Sequence, residues 1–432
     1  MKPFLIPKKN PVKTCFLILL LAITFQGLLS CQKQNDVNKS TEITEITLDT
    51  TTLELFVGDT AMLVATVLPD SATDKTVRWS STAETIVKVN ASGKLTAIAT
   101  GTAIIKATAG NKQAVCSVTV NPDIYVAGDQ AQSPGGYGAT IWKNGIPTTL
   151  TSYMGQTQAT SVFVSGSNVY VAGNSSLSYA AIWKNTEPSY LTNGKNYALA
   201  SSVYVSGNDV YAAGFEYINA KYLATLWKNG TTTHLTDGTK YGSANAVCVS
   251  GNDVYVVGEE ITGGSFPTAT VWKNGVPTRL TGGATNTAAS SIFISGNDVY
   301  VAGGEVINSV WVATVWKNGT PILRLNQGVN NAEFKSIFVS GNDVYVAGSE
   351  YIYGSFYIAT VWKNGVGTRL TDGTDDAETE SIYVWNNDVY LAGYEKLNGN
   401  PLATVWKNGK ARHLDSTNTI AGMAFSIFVK EH

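Results

Sequence analysis

The sequence predicts an all-β protein, in which an immunoglobulin-like β-sandwich precedes a seven-bladed β-propeller closed by the C-terminal strand. A Trp-Lys-Asn step occurs seven times, at intervals of 41 to 46 residues. A second phrase, best seen as SGNDVYVAG at 340–348, precedes each copy by about 15 residues. A period in the forties made of short strands and tight turns is typical of propeller blades. The seven tryptophans are Trp142, Trp183, Trp227, Trp272, Trp316, Trp362 and Trp406.

Residues 1–30 have the order of an export signal. Four lysines and no acid accompany an apolar run from Phe16 to Phe25, which is too short to span a bilayer comfortably. The segment Leu28-Leu29-Ser30-Cys31 resembles a bacterial lipobox, which implies that Cys31 becomes the diacylated first residue of the mature protein. Gln32 after this cysteine resembles lipoproteins of the outer membrane, so we expect an exported protein that is lipid-anchored there, at the cell surface. The alternative is an ordinary cleaved signal with an incidental cysteine.

A polar stretch at 31–44 is predicted to be a flexible tether, and a β-rich module follows at 45–120. Short strands separated by turn residues are dense enough in this module for an immunoglobulin-like sandwich. The predicted strands are Ile46–Leu48, Leu53–Phe56, Ala61–Leu68, Val77–Ser80, Ile86–Val89, Gly101–Ala107 and Val115–Val120.

The module also resembles a known family. Its phrases LELFVGDTAMLVATVLPDSATDKTVRWSS, NASGKLTAIATGTAIIKATAG and AVCSVTV are similar to the bacterial group 2 Ig-like domain over its whole length. The resemblance implies that Trp79 lies in the core, that Gly58-Asp59 and Ser92-Gly93 form turns, and that the module is a stalk or adhesion unit rather than a catalytic one. Asn121-Pro122 is the only linker before the propeller, so we expect a nearly fixed orientation of the two domains.

The copy at 336–370 shows how one repeat makes a blade. Strands b and c are apolar or aromatic on both faces, as expected of blades stacked face to face. The predicted strands a to d are Ser336–Val339, Asp343–Gly348, Ile358–Trp362 and Thr368–Thr371, with turns at Gly341-Asn342 and Asn364-Gly365.

Closure of the propeller, predicted at 123–432, is indicated by the ends of the repeat region. The first copy begins with strand b at Asp123 and lacks a strand a, whereas the chain ends with a lone strand a at Ser426–Val429. We therefore expect the C-terminal strand to complete the first blade, which removes two exposed sheet edges.

Composition excludes several classes of function. Only 14% of residues are charged and the formal net charge is −2, including the four lysines of the export signal. A mildly acidic mature protein is a poor candidate for binding nucleic acid or anionic lipid, so membrane contact is expected only through the lipid anchor. Cys116 and Cys248 replace core apolar residues, which predicts buried free thiols.

Catalytic motifs are absent from the sequence. His234 and His413 share their repeat position with three arginines, and His432 is the last residue, so no histidine is left to act as a metal ligand or base. The sequence has no G-x-S-x-G elbow, phosphate loop or CxxC pair. We therefore predict no catalytic residues and no cofactor.

The candidate binding face is the one formed by the b–c loops and the d-to-a connections, because these segments vary among the copies. Five glutamates occupy one position after strand b and form an acidic arc on this face. The arc suits a cation or a polyol, whereas in a purely structural role each carboxylate would accept hydrogen bonds from loop amides. The five are Glu216, Glu260, Glu305, Glu350 and Glu395.

Aromatic residues of the b–c loops form a second candidate group, and Trp311, Tyr351 and Tyr353 are its strongest members. Exposed rings beside carboxylates suit sugar stacking or a protein partner, although rings in these loops can also wedge between blades.

The third candidate is the residue before strand a, which should line the channel mouth and which is the least repetitive position. Lys335 and Glu380 fall here on adjacent blades, either as part of a site or as a mutual ion pair. The nearby Asp372, Asp375, Asp376 and Glu378 make one connection acidic. Ca²⁺ is the metal that such oxygen ligands would suit, but no EF-hand spacing supports it.

These features lead to one main hypothesis and two alternatives. The main hypothesis is a surface lipoprotein whose propeller binds a glycan or a protein without catalysis, with the Ig-like domain as spacer. The alternatives are a carbohydrate-active enzyme, glycosidase or lyase, that uses carboxylates of the variable face, and a structural protein of the cell envelope. An enzyme would need two repeat-breaking acids facing each other across the channel mouth. The fold does not decide among these.

Overall fold

The computed structural model describes residues 41–131, 136–151, 157–176, 179–261, 265–325, 331–351, 356–414 and 420–431. These residues form strands, turns and loops without a helix. No membrane-spanning helix, long and apolar enough to cross a bilayer, occurs within these ranges. Cys31 and Tyr353 lie outside the described residues.

The first nine strands form the Ig-like domain. Strand β2 pairs in parallel with β9 in the four-stranded sheet β2-β9-β8-β5, which lies beside the sheet β3-β7-β6 and the pair β1-β4. The strands are β1 Glu45–Leu48, β2 Thr52–Phe56, β3 Thr60–Met62, β4 Ala65–Leu68, β5 Arg78–Ser81, β6 Val87–Val89, β7 Lys94–Ala97, β8 Gly101–Ala109 and β9 Lys112–Asn121.

Two strands of this domain differ from the prediction. The segment 61–68 is divided into β3 and β4, and Val64 between them bonds to Asp49 instead of continuing the strand. The Val64 amide donates to the Asp49 carboxylate at 3.0 Å, and the Val64 carbonyl accepts a hydrogen bond from the Asp49 amide at 3.1 Å. Strand β7 was not predicted; it follows the expected turn at Ser92-Gly93, where the Asn90 side chain accepts the amide of Lys94 at 2.9 Å. Trp79 packs against the domain core, as the resemblance implied.

The remaining strands form seven four-stranded antiparallel sheets, an arrangement that fits a propeller-like fold. Sheet 1 contains β10 to β12 and β37; sheets 2 to 7 contain β13–β16, β17–β20, β21–β24, β25–β28, β29–β32 and β33–β36. The strands are β10 Asp123–Ala131, β11 Tyr137–Lys143, β12 Ile146–Thr149, β13 Gln158–Ser165, β14 Asn168–Ser176, β15 Tyr179–Lys184, β16 Glu187–Tyr190, β17 Ala198–Ser206, β18 Asp209–Ile218, β19 Lys221–Lys228, β20 Thr231–His234, β21 Gly242–Ser250, β22 Asp253–Ile261, β23 Pro267–Lys273, β24 Val276–Arg279, β25 Thr287–Ser295, β26 Asp298–Ile307, β27 Val310–Lys317, β28 Thr320–Leu325, β29 Asn331–Ser340, β30 Asp343–Tyr351, β31 Tyr357–Lys363, β32 Val366–Arg369, β33 Ala377–Trp385, β34 Asp388–Leu397, β35 Asn400–Lys407, β36 Lys410–His413 and β37 Gly422–Lys430.

The turn between strands c and d is built in the same way in nearly every sheet. In sheet 6, Asn364 and Gly365 have φ values of 51° and 83°, as a two-residue type I′ hairpin requires. The Asn364 amide donates to Asp343 at 2.7 Å, and Lys363 binds the same carboxylate at 2.7 Å while it lies over the ring of Tyr345. Strand d begins directly after the turn, at Val366, earlier than the predicted Thr368.

Strand a is longer than predicted and contains a bulge. In sheet 6 it begins at Asn331 rather than Ser336, and the pairing register shifts between Phe334 and Ser336, which leaves Lys335 as the extra residue. A Cβ on the facing Gly348 would overlap the carbonyl oxygen of Glu333, so the bulge explains a glycine found in every copy. The least repetitive position is therefore inside strand a, not before it. Its residues are Thr160, Ser201, Asn245, Ser290, Lys335, Glu380 and Phe425.

Contacts run from sheet to sheet along the first strands. The hydroxyl oxygen of the serine after the bulge accepts a hydrogen bond from a backbone amide in strand a of the next sheet. Val203 donates to Ser161 at 3.2 Å, and Val162 donates to Ser426 at 3.1 Å. Strand β37 pairs with β10 from Asp123↔Lys430 to Gln130↔Gly422. An aromatic belt follows the same strands, with ring pairs Phe163–Tyr204, Phe163–Phe428, Tyr383–Phe428, Phe338–Tyr383 and Phe293–Phe338.

The two cysteines of the described region are free and buried, as predicted. Cys248 occupies the belt position where the other sheets carry an aromatic ring, and burial raises the pKa of its thiol to about 12. An unreactive packing role follows for this thiol.

Candidate ligand pocket between sheets 5 and 6

The five glutamates of the acidic arc each contact a basic side chain of their own sheet. Each carboxylate on strand b reaches over strand c to an arginine or histidine at the end of strand d, as Glu350 does to Arg369 at 2.7 Å. The other pairs are Glu216–His234 at 2.8 Å, Glu260–Arg279 at 3.2 Å, Glu305–Arg324 at 2.8 Å and Glu395–His413 at 3.1 Å. The carboxylates contact arginine or histidine side chains of strand d, rather than the loop amides considered from the sequence.

The sequence contained a signal for these pairs. In sheets 1 and 2 the glutamate position holds Gln130 and Ser175, and the strand-d position holds Thr149 and Tyr190. The glutamate and its arginine or histidine partner are thus present together or absent together in all seven copies. Comparing the two positions across the repeats would have predicted the pairs.

Lys335 and Glu380 lie in one cluster of charges on sheets 6 and 7. The Lys335 ammonium is 2.9 Å from Glu333 and 3.9 Å from Glu378, and these two acids, rather than Glu380, are its direct ion-pair partners. Tyr394 donates its hydroxyl to Glu378 at 2.7 Å. Burial alone lowers the pKa of Lys335. The surrounding carboxylates, first Glu380 and then Glu333, raise the pKa by more than burial lowers it, so the net shift is upward.

Glu380 is the most strongly perturbed acid of this cluster. Burial raises its pKa, Lys335 lowers it, and the like charges of Glu378 and Glu333 raise it again, so that the pKa is about 7. The ionised and protonated forms of Glu380 are therefore both available near neutral pH.

The acidic connection before sheet 7 is a turn held by its own contacts. The Asp372 carboxylate accepts hydrogen bonds from the amide and the hydroxyl of Thr374, at 3.0 and 2.7 Å. Asp376 forms an ion pair with Lys396 at 2.6 Å. Asp375 accepts the amide of Asp376 at 2.9 Å. In the part of the chain that the structure describes, no three His, Cys, Asp or Glu side chains are gathered as metal ligands.

A pocket of 330 Å³ lies beside this cluster, between sheets 5 and 6. Its lining consists of Trp311 from β27, Glu333 from β29, and Tyr351 and Tyr357 from β30 and β31. Tyr351 and Tyr357 are paired across the two strands, with ring centroids 5.1 Å apart. Glu333 is 43% exposed, so its carboxylate is accessible while it binds Lys335. Three rings and one carboxylate thus surround a single cavity.

Gly304 makes room for the tryptophan of this pocket. A Cβ at Gly304 would overlap the indole of Trp311, so the ring lies directly on the backbone of β26. The other six sheets carry a side chain at this position: Asp129, Asn174, Phe215, Glu259, Ser349 and Tyr394. Gly304 and Trp311 therefore depart from the repeat together.

An equivalent pocket of 350 Å³ lies between sheets 3 and 4. Tyr222 occupies the position of Trp311, since both pair with the residue after the strand-b glutamate. This pocket is lined by Lys221, Lys240 and Tyr241, whereas the other is lined by Glu333, Trp311 and two tyrosines. Its rings also pack on one another, with Phe215, Tyr217 and Tyr241 all within 5.8 Å of Tyr222 between centroids.

The sequence predicts Trp311, Tyr351, Lys335 and Glu380 of this region as candidates, but not Glu333. Glu333 precedes the bulge, and a strand a that starts at Ser336 leaves it in the preceding connection. Its place in strand a, two residues before Lys335, brings it into the pocket.

Comparison with solved structures found propeller-like neighbours. A puromycin-hydrolysing peptidase of Mycobacterium tuberculosis aligns with 68% of this chain and 52% of its own, at 11% identity and a TM-score of 0.49. TolB of Acinetobacter baumannii aligns with 79% of each chain, at 10% identity and a TM-score of 0.39. These similarities are too weak to support an inference about this chain.

Curated relatives match only a short stretch. An α-L-arabinofuranosidase of Bifidobacterium longum is 46% identical over 72 residues, and a lacto-N-biosidase of Bifidobacterium bifidum is 46% identical over 77 residues. The matches cover 16% and 18% of this chain but only 7% of each of those proteins. An Ig-like virion protein of Serratia phage KSP90 is 42% identical over 82 residues, 18% of this chain and 32% of its own.

The family comparison identifies the first domain. Residues 42–120 match the bacterial Ig-like domain (group 2), and the match begins three residues before the predicted start at 45. The matched range contains all nine strands that precede the repeat sheets except the last residue of β9. Residues 42–120 are therefore a bacterial Ig-like domain of group 2.

Proposed function

We propose that this protein is a surface lipoprotein whose repeat region is a closed seven-bladed propeller that binds a glycan without catalysis, with the Ig-like domain as spacer. The observation that carries the proposal is the pocket of Trp311, Glu333, Tyr351 and Tyr357, where the repeat is broken on its variable face. Aromatic rings stack on the apolar faces of sugars, and a carboxylate accepts hydrogen bonds from their hydroxyl groups.

Closure of the ring is supported by three kinds of contact. Strand β37 supplies the missing strand of sheet 1. In the serine relay, the series of hydrogen bonds from strand-a amides to the serine after the bulge of the preceding sheet, Ile427 donates to Ser381 and Val162 donates to Ser426. Phe428 lies between the rings of Tyr383 and Phe163. The relay is interrupted only at sheet 4, where Ala246 replaces the serine.

A glycan fits the pocket better than a folded protein does. A pocket of 330 Å³ is the size of a small-molecule site, whereas a stable protein interface buries roughly 800 Å² on each partner. The neighbouring Lys335, Glu333 and Glu378 are polar and partly exposed, which suits a ligand rich in hydroxyl groups.

Anchoring through Cys31 belongs to the same proposal. The support is the order of basic residues, apolar run and Leu-Leu-Ser-Cys in the sequence. We expect Cys31→Ala to move the protein from washed membranes to the soluble fraction, as seen by fractionation and immunoblotting. Retention of the variant on membranes would show that another anchor acts.

The test of glycan binding is an array screen with the full chain, followed by calorimetry on the best ligand. Trp311→Ala should weaken binding at least about fivefold, because a stacked aromatic ring contributes on the order of 1–3 kcal/mol. Tyr222→Ala, at the equivalent position of the other pocket, is the matched control and should leave the affinity unchanged. Absence of binding on the array, or equal effects of the two substitutions, would contradict the proposal.

Glycoside hydrolysis is a second candidate, favoured by one observation. Glu380 and Glu378 lie in one cluster, and burial holds Glu380 partly protonated near neutral pH while Tyr394 and Lys335 stabilise the Glu378 carboxylate. A proton donor near a second carboxyl group is the arrangement that glycosidases use. Release of new reducing ends from the bound glycan, lost in Glu380→Gln, would favour hydrolysis; unchanged glycan after prolonged incubation would favour binding alone.

A further inference from the structure

The two equivalent pockets differ in charge. Glu333 lines the pocket between sheets 5 and 6, and Glu378 and Glu380 stand behind it, with Lys335 as the cation among three acids. Lys221 and Lys240 line the pocket between sheets 3 and 4. The two pockets lie at equivalent places in the repeat, and their charged lining residues therefore have opposite signs.

We propose that the pocket between sheets 5 and 6 takes a hexosamine unit whose amino group is protonated; this inference rests on the glycan binding proposed above. Glu333 uses Oε2 to bind Lys335, which leaves Oε1 to accept a hydrogen bond from the ammonium group of the sugar. The faces of Trp311, Tyr351 and Tyr357 attract the same cation through their quadrupoles.

Sugars with other charges fit this pocket less well. An N-acetylated hexosamine keeps the ring face for stacking but loses the charge, so Glu333 can accept only the weaker hydrogen bond of a neutral donor from it. A uronic acid would place its carboxylate beside Glu333 and near Glu378, where like charges repel across a partly desolvated site. The ranking that follows is free amine first, N-acetyl second and uronate last.

The test compares three tetrasaccharides by calorimetry on the full chain: tetraglucosamine, its fully N-acetylated counterpart and a galacturonic acid tetramer. At a pH at which the amines are protonated, tetraglucosamine should bind about tenfold more tightly than the acetylated tetramer, the factor that one charge-assisted hydrogen bond gives. Glu333→Gln should reduce this ratio to about twofold or less, with little effect on the acetylated tetramer. Lys221→Gln, which removes a lining charge from the other pocket, should leave the ratio unchanged.

A measurement on the unmodified protein protects the test from a folding defect of the variant. Because salt screens charge pairs, raising the ionic strength should lower the affinity for tetraglucosamine and leave that for the acetylated tetramer nearly constant. Equal affinities of the two tetramers, a preference for the uronate, or an unchanged ratio in Glu333→Gln would overturn the inference while leaving glycan binding in place. Failure of every glycan to bind would overturn the proposed function instead.

Discussion

The two faces of the repeat sheets are built from the same strands but follow different rules. On the turn face, Asp343, Lys363 and Asn364 form a contact set that recurs in the other sheets, for example as Asp298, Lys317 and Asn318. On the opposite face, the lining residues change from lysine to glutamate between equivalent pockets. Uniform contacts maintain the scaffold, and the departures from uniformity mark where a ligand would be distinguished.

Sheet 2 shows that the scaffold tolerates a change when its geometry is kept. Asn168 replaces the aspartate, yet the Asn185 amide still donates to its side chain at 2.8 Å, and Lys184 still lies over the ring of Tyr170. The turn therefore depends on hydrogen-bond geometry more than on the full charge of the acid.

The largest effect is expected from removing β37, which would break the contacts shared by both faces. Deletion of 422–432 removes the buried Ile427 and Val429 and uncovers the edge of β10, which should cost about 5 kcal/mol or more at about 25 cal/mol per Å² of apolar surface. Urea unfolding measures the loss, with a deletion of 431–432 as the control. Equal midpoints for the two truncated proteins would contradict ring closure by this strand.

The fold was predictable because its signals repeat, whereas the site depends on positions where they stop repeating. Seven copies of the Trp-Lys-Asn step predicted the four-stranded sheets and their hairpin turns. The bulge at Lys335 was missed, because an extra residue breaks the alternation on which strand assignment relies. The pocket was only partly predictable, since it joins Trp311 of one sheet to Glu333 of the next, and such contacts are set by packing between sheets.

A smaller effect is expected in the pH dependence of stability, which tests the charge cluster on the variable face. The folded-state pKa of Glu380 is raised from its ordinary 4.5 to about 7, so the folded protein binds more protons than the unfolded chain between these values. Stability from this group is therefore complete below about pH 4.5 and is lost as the pH rises towards 7.

Glu380→Gln should flatten this part of the profile, measured by urea unfolding at several pH values. Asp129 and Glu259, whose pKa values burial also raises, keep their own contributions, so the difference between the two proteins is the quantity to compare. Lys335, Glu333 and Glu378 face Glu380 and stay unchanged. Parallel profiles for the wild type and the variant would refute the raised pKa of Glu380.

The smallest effect is expected for the glutamate arc, which lies on the variable side but behaves as scaffold. A double-mutant cycle of Glu305→Ala and Arg324→Ala should give a coupling of about 0.5–1 kcal/mol, because Arg324 is 45% exposed and solvent weakens the pair. Glycan affinity should not change in either single variant. A loss of affinity with Glu305→Ala would show that the glutamate arc contacts the ligand.

Hydrogen–deuterium exchange with and without the bound glycan tests the distinction between the two faces most directly. The account predicts slower exchange in peptides from the start of β27, the start of β29 and the facing ends of β30 and β31, which surround the pocket. Exchange at the Asn364-Gly365 turn and its counterparts should stay the same. Protection centred on those turns, with none around Trp311 and Glu333, would contradict the account.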